Sequence, residues 1–144
     1  MVQYGYAPSK EVGIRDYLNQ ARFPGQHVSP EQAIQGILGS GGIPVLAHPA
    51  YGSGDELIVG LEMEARLRRL IGYGLQGVEA FYSSFGAKLI KETLAFAKPF
   101  GLYVTAGSDY HGKNKLIALG KTNLEKAKDV PDGLRRFLEA VDDG

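Results

Sequence analysis

Three short apolar runs, each opened by glycine and each ending in polar residues, constrain this chain more than any other feature. Ile43, Pro44, Val45, Leu46 and Ala47 stop at His48-Pro49. Gly77, Val78, Glu79, Ala80, Phe81 and Tyr82 form the second run. Leu102, Tyr103, Val104, Thr105 and Ala106 are broken by Gly107, Ser108, Asp109, Tyr110, His111 and Gly112. Such runs read as strands, the first as a strand buried on both faces. Their starts lie 34 and 25 residues apart, room for one crossover helix each, so the predicted fold is α/β with parallel strands and right-handed crossovers. Glycine, 20 of 144 residues, gathers at the corners between these elements.

The intervening segments carry helix signals. Ser29-Pro30-Glu31-Gln32 supplies a hydroxyl N-cap, proline at the first helical position and a capping-box glutamine. Ala33, Ile34, Ile37 and Leu38 then form an apolar face, and Gly39, Gly41 and Gly42 permit the exit. A second helix is predicted over 56–73 with Leu57, Ile58, Leu61, Ala65, Leu70 and Ile71 inward. A third covers 88–98 with Leu89, Ile90, Leu94 and Ala97 on one face, stopped by Pro99 and Gly101. Upstream, Ser9 caps a helix burying Ile14, Tyr17, Leu18 and Ala21, before a Phe23-Pro24-Gly25 turn. The tail, 131–141, closes the fold with Leu134, Phe137 and Leu138 inward. No repeat or linker divides the chain, so 1–144 reads as one domain.

Sixteen basic against sixteen acidic residues, with no long basic run, argue against a nucleic-acid or anionic-membrane binder. The apolar runs are far short of the ~18–20 residues of a membrane span, and residues 1–10 lack a charged-then-apolar leader; a cytoplasmic chain is expected. The absence of cysteine removes disulfides, zinc-thiolate sites and a thiol nucleophile, leaving His, Asp and Glu as metal ligands.

Parallel α/β folds keep their sites at the carboxyl ends of strands, where His48, Glu79 or Tyr82, and Asp109 with His111 fall. His48 follows an apolar strand, where an imidazole is costly without a partner; it is either a satisfied core histidine or a ligand. Asp109 and His111 flank one residue in a glycine-bounded turn and could share Zn, Mn or Fe, with Ser108 behind them, or simply cap the turn. Glu79 points to the site or to solvent. Gly52-Ser53-Gly54 before a helix could cradle a phosphate or be only a turn. Lys113 and Lys115 are either a phosphate contact or a solvated pair, and His27 reads as a surface or packing residue.

Taken together, residues 41–49, 77–82 and 107–112, with the Ser29-Pro30-Glu31-Gln32-Ala33-Ile34 helix start, resemble the PHP (polymerase and histidinol phosphatase) family over about residues 17–120. Within it they are most similar to stand-alone metal-dependent phosphoesterases acting on nucleotides. The resemblance implies a distorted (β/α)7-type barrel with up to three divalent metals, Mn, Fe or Zn, at the carboxyl ends of its strands. It implies that His48, Asp109 and His111 are metal ligands and that Glu79 lies near the substrate. The implied reaction is hydrolysis of a phosphomonoester, a nucleotide among the candidates, with metals polarising the phosphoryl oxygens and activating water. The family's opening His-x-His motif does not occur in this sequence, so the resemblance is to the C-terminal portion of the barrel, with the N-terminal ligand-bearing strands absent. Its matched residues serve different metals in the family, and three or four ligands hold a metal tightly. The chain by itself is therefore expected to be catalytically weak or dead. Half a barrel leaves an edge and an apolar interior that call for a homo-oligomer or a complementing N-terminal segment. Two other readings stay open: a catalytically inactive module of this fold that binds a ligand or partner chain, and an unrelated doubly wound domain that binds a phosphorylated small molecule without metal.

Overall fold

The computed structural model describes residues 2–18, 27–52, 56–114, 116–126 and 129–142. Along the chain run α1 (Lys10–Gly13), α2 (Pro30–Gly39), β1 (Val45–Leu46), α3 (Gly60–Gly72), β2 (Gly77–Tyr82), α4 (Ala87–Ala97), β3 (Tyr103–Gly107) and α5 (Asp132–Asp142). The strands form one parallel sheet in the order β1-β2-β3, as the spacing predicts. Val45 lies opposite Gly77 and Leu46 opposite Val78, and β2 pairs with β3 from Gly77 and Tyr103 to Tyr82 and Gly107. Among the described residues the sheet has three strands and does not close on itself.

The core is centred on β2, whose Val78, Ala80, Phe81 and Tyr82 are all buried. Met63 and Leu67 of α3, Ile90 and Ala97 of α4, Val104 of β3 and Leu134 of α5 complete it. Gly133 brings α5 close: a Cβ there would lie 2.8 Å from the Leu102 carbonyl oxygen and from Val104 Cγ2.

Several elements differ from the sequence reading. β1 has two residues rather than five and is half-buried rather than buried on both faces. The Pro44 carbonyl already accepts from the amides of Gln76 and Gly77, proline has no N–H to extend the ladder, and His48 turns the chain away at φ +30°. α3 starts at Gly60, not near 56, because an antiparallel bridge between Tyr51 and Leu57 holds the preceding residues extended. The helix phase then follows Met63, Leu67, Leu70 and Ile71. Leu57, Leu61 and Ala65, expected inward, are exposed, Leu61 by 85%.

Ser9 caps α1 through the Val12 amide, yet the helix lasts four residues before a wider π-type turn over Ile14–Leu18. That turn breaks the 3.6-residue phase, and Ile14 and Tyr17 face solvent rather than the core. Ala21 and the Phe23-Pro24-Gly25 turn lie outside the described residues. The Ser29–Gln32 capping box forms as expected. The buried stripe of α2 is narrower than predicted: Ile34 is buried and Leu38 half-buried, while Ala33 and Ile37 are exposed. In α5, Leu134 is buried and Phe137 packs edge-on against Tyr103, but Leu138 is exposed. Among the described residues no helix is long and apolar enough to cross a membrane.

Candidate functional site

The carboxyl ends of the strands hold all three non-glycine residues of positive φ among those described: His48 at +30°, Asp109 at +52° and Asn123 at +63°. Such backbone costs about 1–3 kcal/mol per residue and persists only where the surroundings impose it. β2 or the turn that follows it supplies a partner in every case. The His48 amide donates to Glu79 Oε2 at 2.7 Å, and the Tyr82 hydroxyl donates to Asp109 Oδ2 at 2.9 Å. The Asn123 amide group donates to the carbonyls of Tyr82 (3.1 Å), Ser83 (2.8 Å) and Phe85 (3.1 Å), clamping the turn after β2.

Tyr82 is the hub. Its buried ring lies 5.4 Å from the His48 imidazole, 5.7 Å from Tyr51 and 5.3 Å from Phe85, in tilted or edge-on arrangements that aromatic rings favour. One side chain therefore packs on one candidate ligand and hydrogen-bonds another. The Ser83 hydroxyl beside it is buried and has no hydrogen-bond partner among the described residues, the kind of orphan group that calls for a ligand or a water.

His111 is exposed, and its Nδ1 lies 2.7 Å from the Asp109 carbonyl oxygen and 3.4 Å from Asp109 Oδ1. When Nδ1–H donates to that carbonyl, Nε2 keeps its lone pair, the tautomer a metal ligand needs. His48 also borders an open groove of about 340 Å³ between β1 and α3, lined by Leu46, Tyr51, Met63, Arg66 and Leu70.

The other candidates fare unevenly. The Gly52 amide already donates to the Glu56 carbonyl across the Tyr51–Leu57 bridge, which supports a turn at that residue; Ser53 and Gly54 lie outside the described residues. Lys113 sits exposed on a short turn after His111, and Lys115 lies outside the described residues. His27 is at the surface, as read. Sequence reasoning placed Tyr82 only at a strand end and missed Asn123, for which the Lys121-Thr122-Asn123-Leu124 stretch carries no signal.

Imidazole and carboxylate donors at His48, Glu79, Asp109 and His111 fit a divalent metal in chemistry. In number they do not complete a site: among the described residues no three His, Asp or Glu side chains converge to hold a metal ion.

No protein-family model matches the chain. It is 30% identical over 148 residues to the 3′,5′-nucleoside bisphosphate phosphatase of Chromobacterium violaceum, covering 97% of this chain and 48% of that protein. Its fold superposes with a TM-score of 0.63 and 26% identity on an amidohydrolase from Chromobacterium violaceum with bound sulfate and no metal, over 96% of this chain and 47% of the other. It superposes with a TM-score of 0.66, again at 26% identity, on a protein provisionally assigned as a metal-dependent phosphoesterase from Bifidobacterium adolescentis, over 95% and 46%. The resemblance carried by the strand-end motifs is thus matched by homologues named as a phosphatase and a metal-dependent phosphoesterase, which cover almost the whole chain and of which the chain spans about half the length.

Proposed function

We propose that this chain is the carboxyl-terminal portion of a PHP-type phosphoesterase barrel, with 1–144 forming one unit whose site is completed by segments outside it. The observation that carries this reading is the coincidence of His48 and Asp109, both in strained backbone, at the carboxyl ends of the two parallel strands that flank β2, in a chain with phosphatase homologues. His48, Asp109 and His111 are the residues that would hold divalent metal, and Glu79 borders the same strand ends. The metal, when bound, supplies Lewis-acid polarisation of a phosphoryl oxygen and an activated water.

The chain's own contribution is positional. His111 presents Nε2 while its Nδ1 is engaged by the Asp109 carbonyl, Asp109 is oriented by Tyr82, and Tyr51 and Phe85 pack ring to ring against Tyr82 and hold it in place. The substrate class is a phosphate ester of a small molecule, with a nucleoside bisphosphate favoured by the named relative. Mn, Fe and Zn all suit the donors. The remaining strands join along β1, the short edge beside the open groove.

The test pairs metal binding with complementation. Mn²⁺ titration of the wild type and of the His48→Ala, Asp109→Ala, His111→Ala triple variant is expected to show weak binding in the first and none in the second. Addition of the amino-terminal half of the Chromobacterium phosphatase is expected to yield Mn²⁺-dependent hydrolysis of a nucleoside 3′,5′-bisphosphate with the wild-type chain alone. Equal Mn²⁺ binding by wild type and triple variant would sink the assignment of these ligands.

A further inference from the structure

The geometry points to two positioning residues on β2, Glu79 and Tyr82, which hold His48 and Asp109 in the conformation the site uses; the inference rests on the reading of His48 and Asp109 as metal ligands. In a regular strand, residues three apart project from opposite faces. Here the register breaks between Glu79 and Phe81: Glu79 lies opposite Thr105 and Tyr82 opposite Gly107, so Ala80 is an extra residue in the ladder. The partners are two apart, and the bulge therefore turns Glu79 and Tyr82 to the same face.

From that face Glu79 Oε2 accepts the His48 amide at 2.7 Å and the Tyr82 hydroxyl donates to Asp109 Oδ2 at 2.9 Å. Both residues so held have left-handed backbone, and such conformations gather at functional sites where neighbours over-determine them. Gly107 leaves the room this needs: a Cβ there would collide with Glu79 Oε1. Glu79 thus acts through His48 rather than by touching substrate, and the bulge at Ala80 is what brings the two locks together.

The test uses the isotope-labelled chain with three readouts: hydrogen exchange at the His48 amide, the carboxylate ¹³C shift of Asp109, and Mn²⁺ affinity, each beside a thermal melt. Glu79→Ala is expected to speed exchange of the His48 amide at least tenfold. Glu79→Gln, which keeps an acceptor oxygen, restores much of the protection. Gly107→Ala, which displaces the carboxylate without altering it, behaves like Glu79→Ala. Tyr82→Phe keeps the ring packing, moves the Asp109 carboxylate shift and lowers Mn²⁺ affinity about tenfold, as loss of a ligand's hydrogen-bond partner does. Unchanged His48 exchange in both Glu79→Ala and Gly107→Ala overturns the role of Glu79. An unchanged Asp109 shift in Tyr82→Phe overturns that of Tyr82. A wild-type chain that binds no Mn²⁺ overturns the ligand reading instead, and the exchange and ¹³C readouts still decide the positioning roles.

Discussion

The two outer strands of the sheet are built differently. β3 runs five residues and is anchored from outside: Gly133 of α5 sits against the Leu102 carbonyl and Val104, Arg136 donates to the carbonyls of Gly101 and Leu102 at 3.2 Å each, and Phe137 packs on Tyr103. β1 runs two half-buried residues beside an open groove, and the helix before it, α2, buries only Ile34. The same parallel ladder is thus finished on one side and spare on the other. The candidate site straddles this difference, with Asp109 following the anchored strand and His48 the spare one. Fixation of His48 consequently falls to β2, through Glu79.

The largest test of the contrast makes one substitution on both strands. Val104 is buried against α5, so Val104→Ala removes about two methylene equivalents from the core and leaves a gap, at a cost of about 2–3 kcal/mol. Val45→Ala on β1, where the side chain is half-buried, is expected to cost under about 1 kcal/mol. Urea unfolding of the two variants checks this. Equal losses would mean that β1 is as firmly held as β3, and its groove would no longer mark the side where further structure joins.

A smaller test uses glycine on each side. In α5, Gly133→Ala would drive a methyl to 2.8 Å from a backbone carbonyl, so the helix must shift; the expected cost is about 1–2 kcal/mol. In α2, Gly36 has nothing within 4 Å of its absent Cβ and lies in mid-helix, so Gly36→Ala is expected to stabilise by about 0.5–1 kcal/mol. Opposite signs from one substitution, read by thermal melts, would sharpen the contrast. A loss at Gly36 would mean that α2 packs more tightly than its exposed Ala33 and Ile37 indicate.

The sequence made much of this legible, and the particular failures have physical causes. Strand identity and parallel order followed from apolar runs and their spacing, because a crossover helix leaves a gap of fixed scale. The start of α3 did not follow: the Tyr51–Leu57 bridge, a pairing across six positions that helical periodicity does not register, overrides a helical pattern beginning at Glu56. At the candidate site, the positions of His48, Asp109 and His111 at strand ends were readable from the sequence. The locks were not. The bulge at Ala80 depends on how β2 meets β3, so period-two reasoning sends Glu79 and Tyr82 to opposite faces, and the clamp from Asn123 spans some forty residues.

The smallest effect concerns how α5 is anchored at its first turn. Asp132 opens the helix and receives hydrogen bonds from Arg135 and from Arg136, which hold its carboxyl below the usual carboxylate range. A carboxyl whose pKa is lower folded than unfolded adds stability above its unfolded pKa, near pH 4, and that contribution is lost as pH falls through the folded value. The wild type and Asp132→Asn should therefore differ at pH 7 and converge near pH 2. The group is fully exposed, so the gap should shrink in 1 M salt. Comparing urea midpoints at the two pH values checks this. A gap that persists at pH 2 would transfer the effect from the charge of Asp132 to the uncharged hydrogen bonds its side chain keeps, and with it the anchoring of β3 from the Asp132–Arg136 ion pair to the apolar contacts of Gly133 and Phe137.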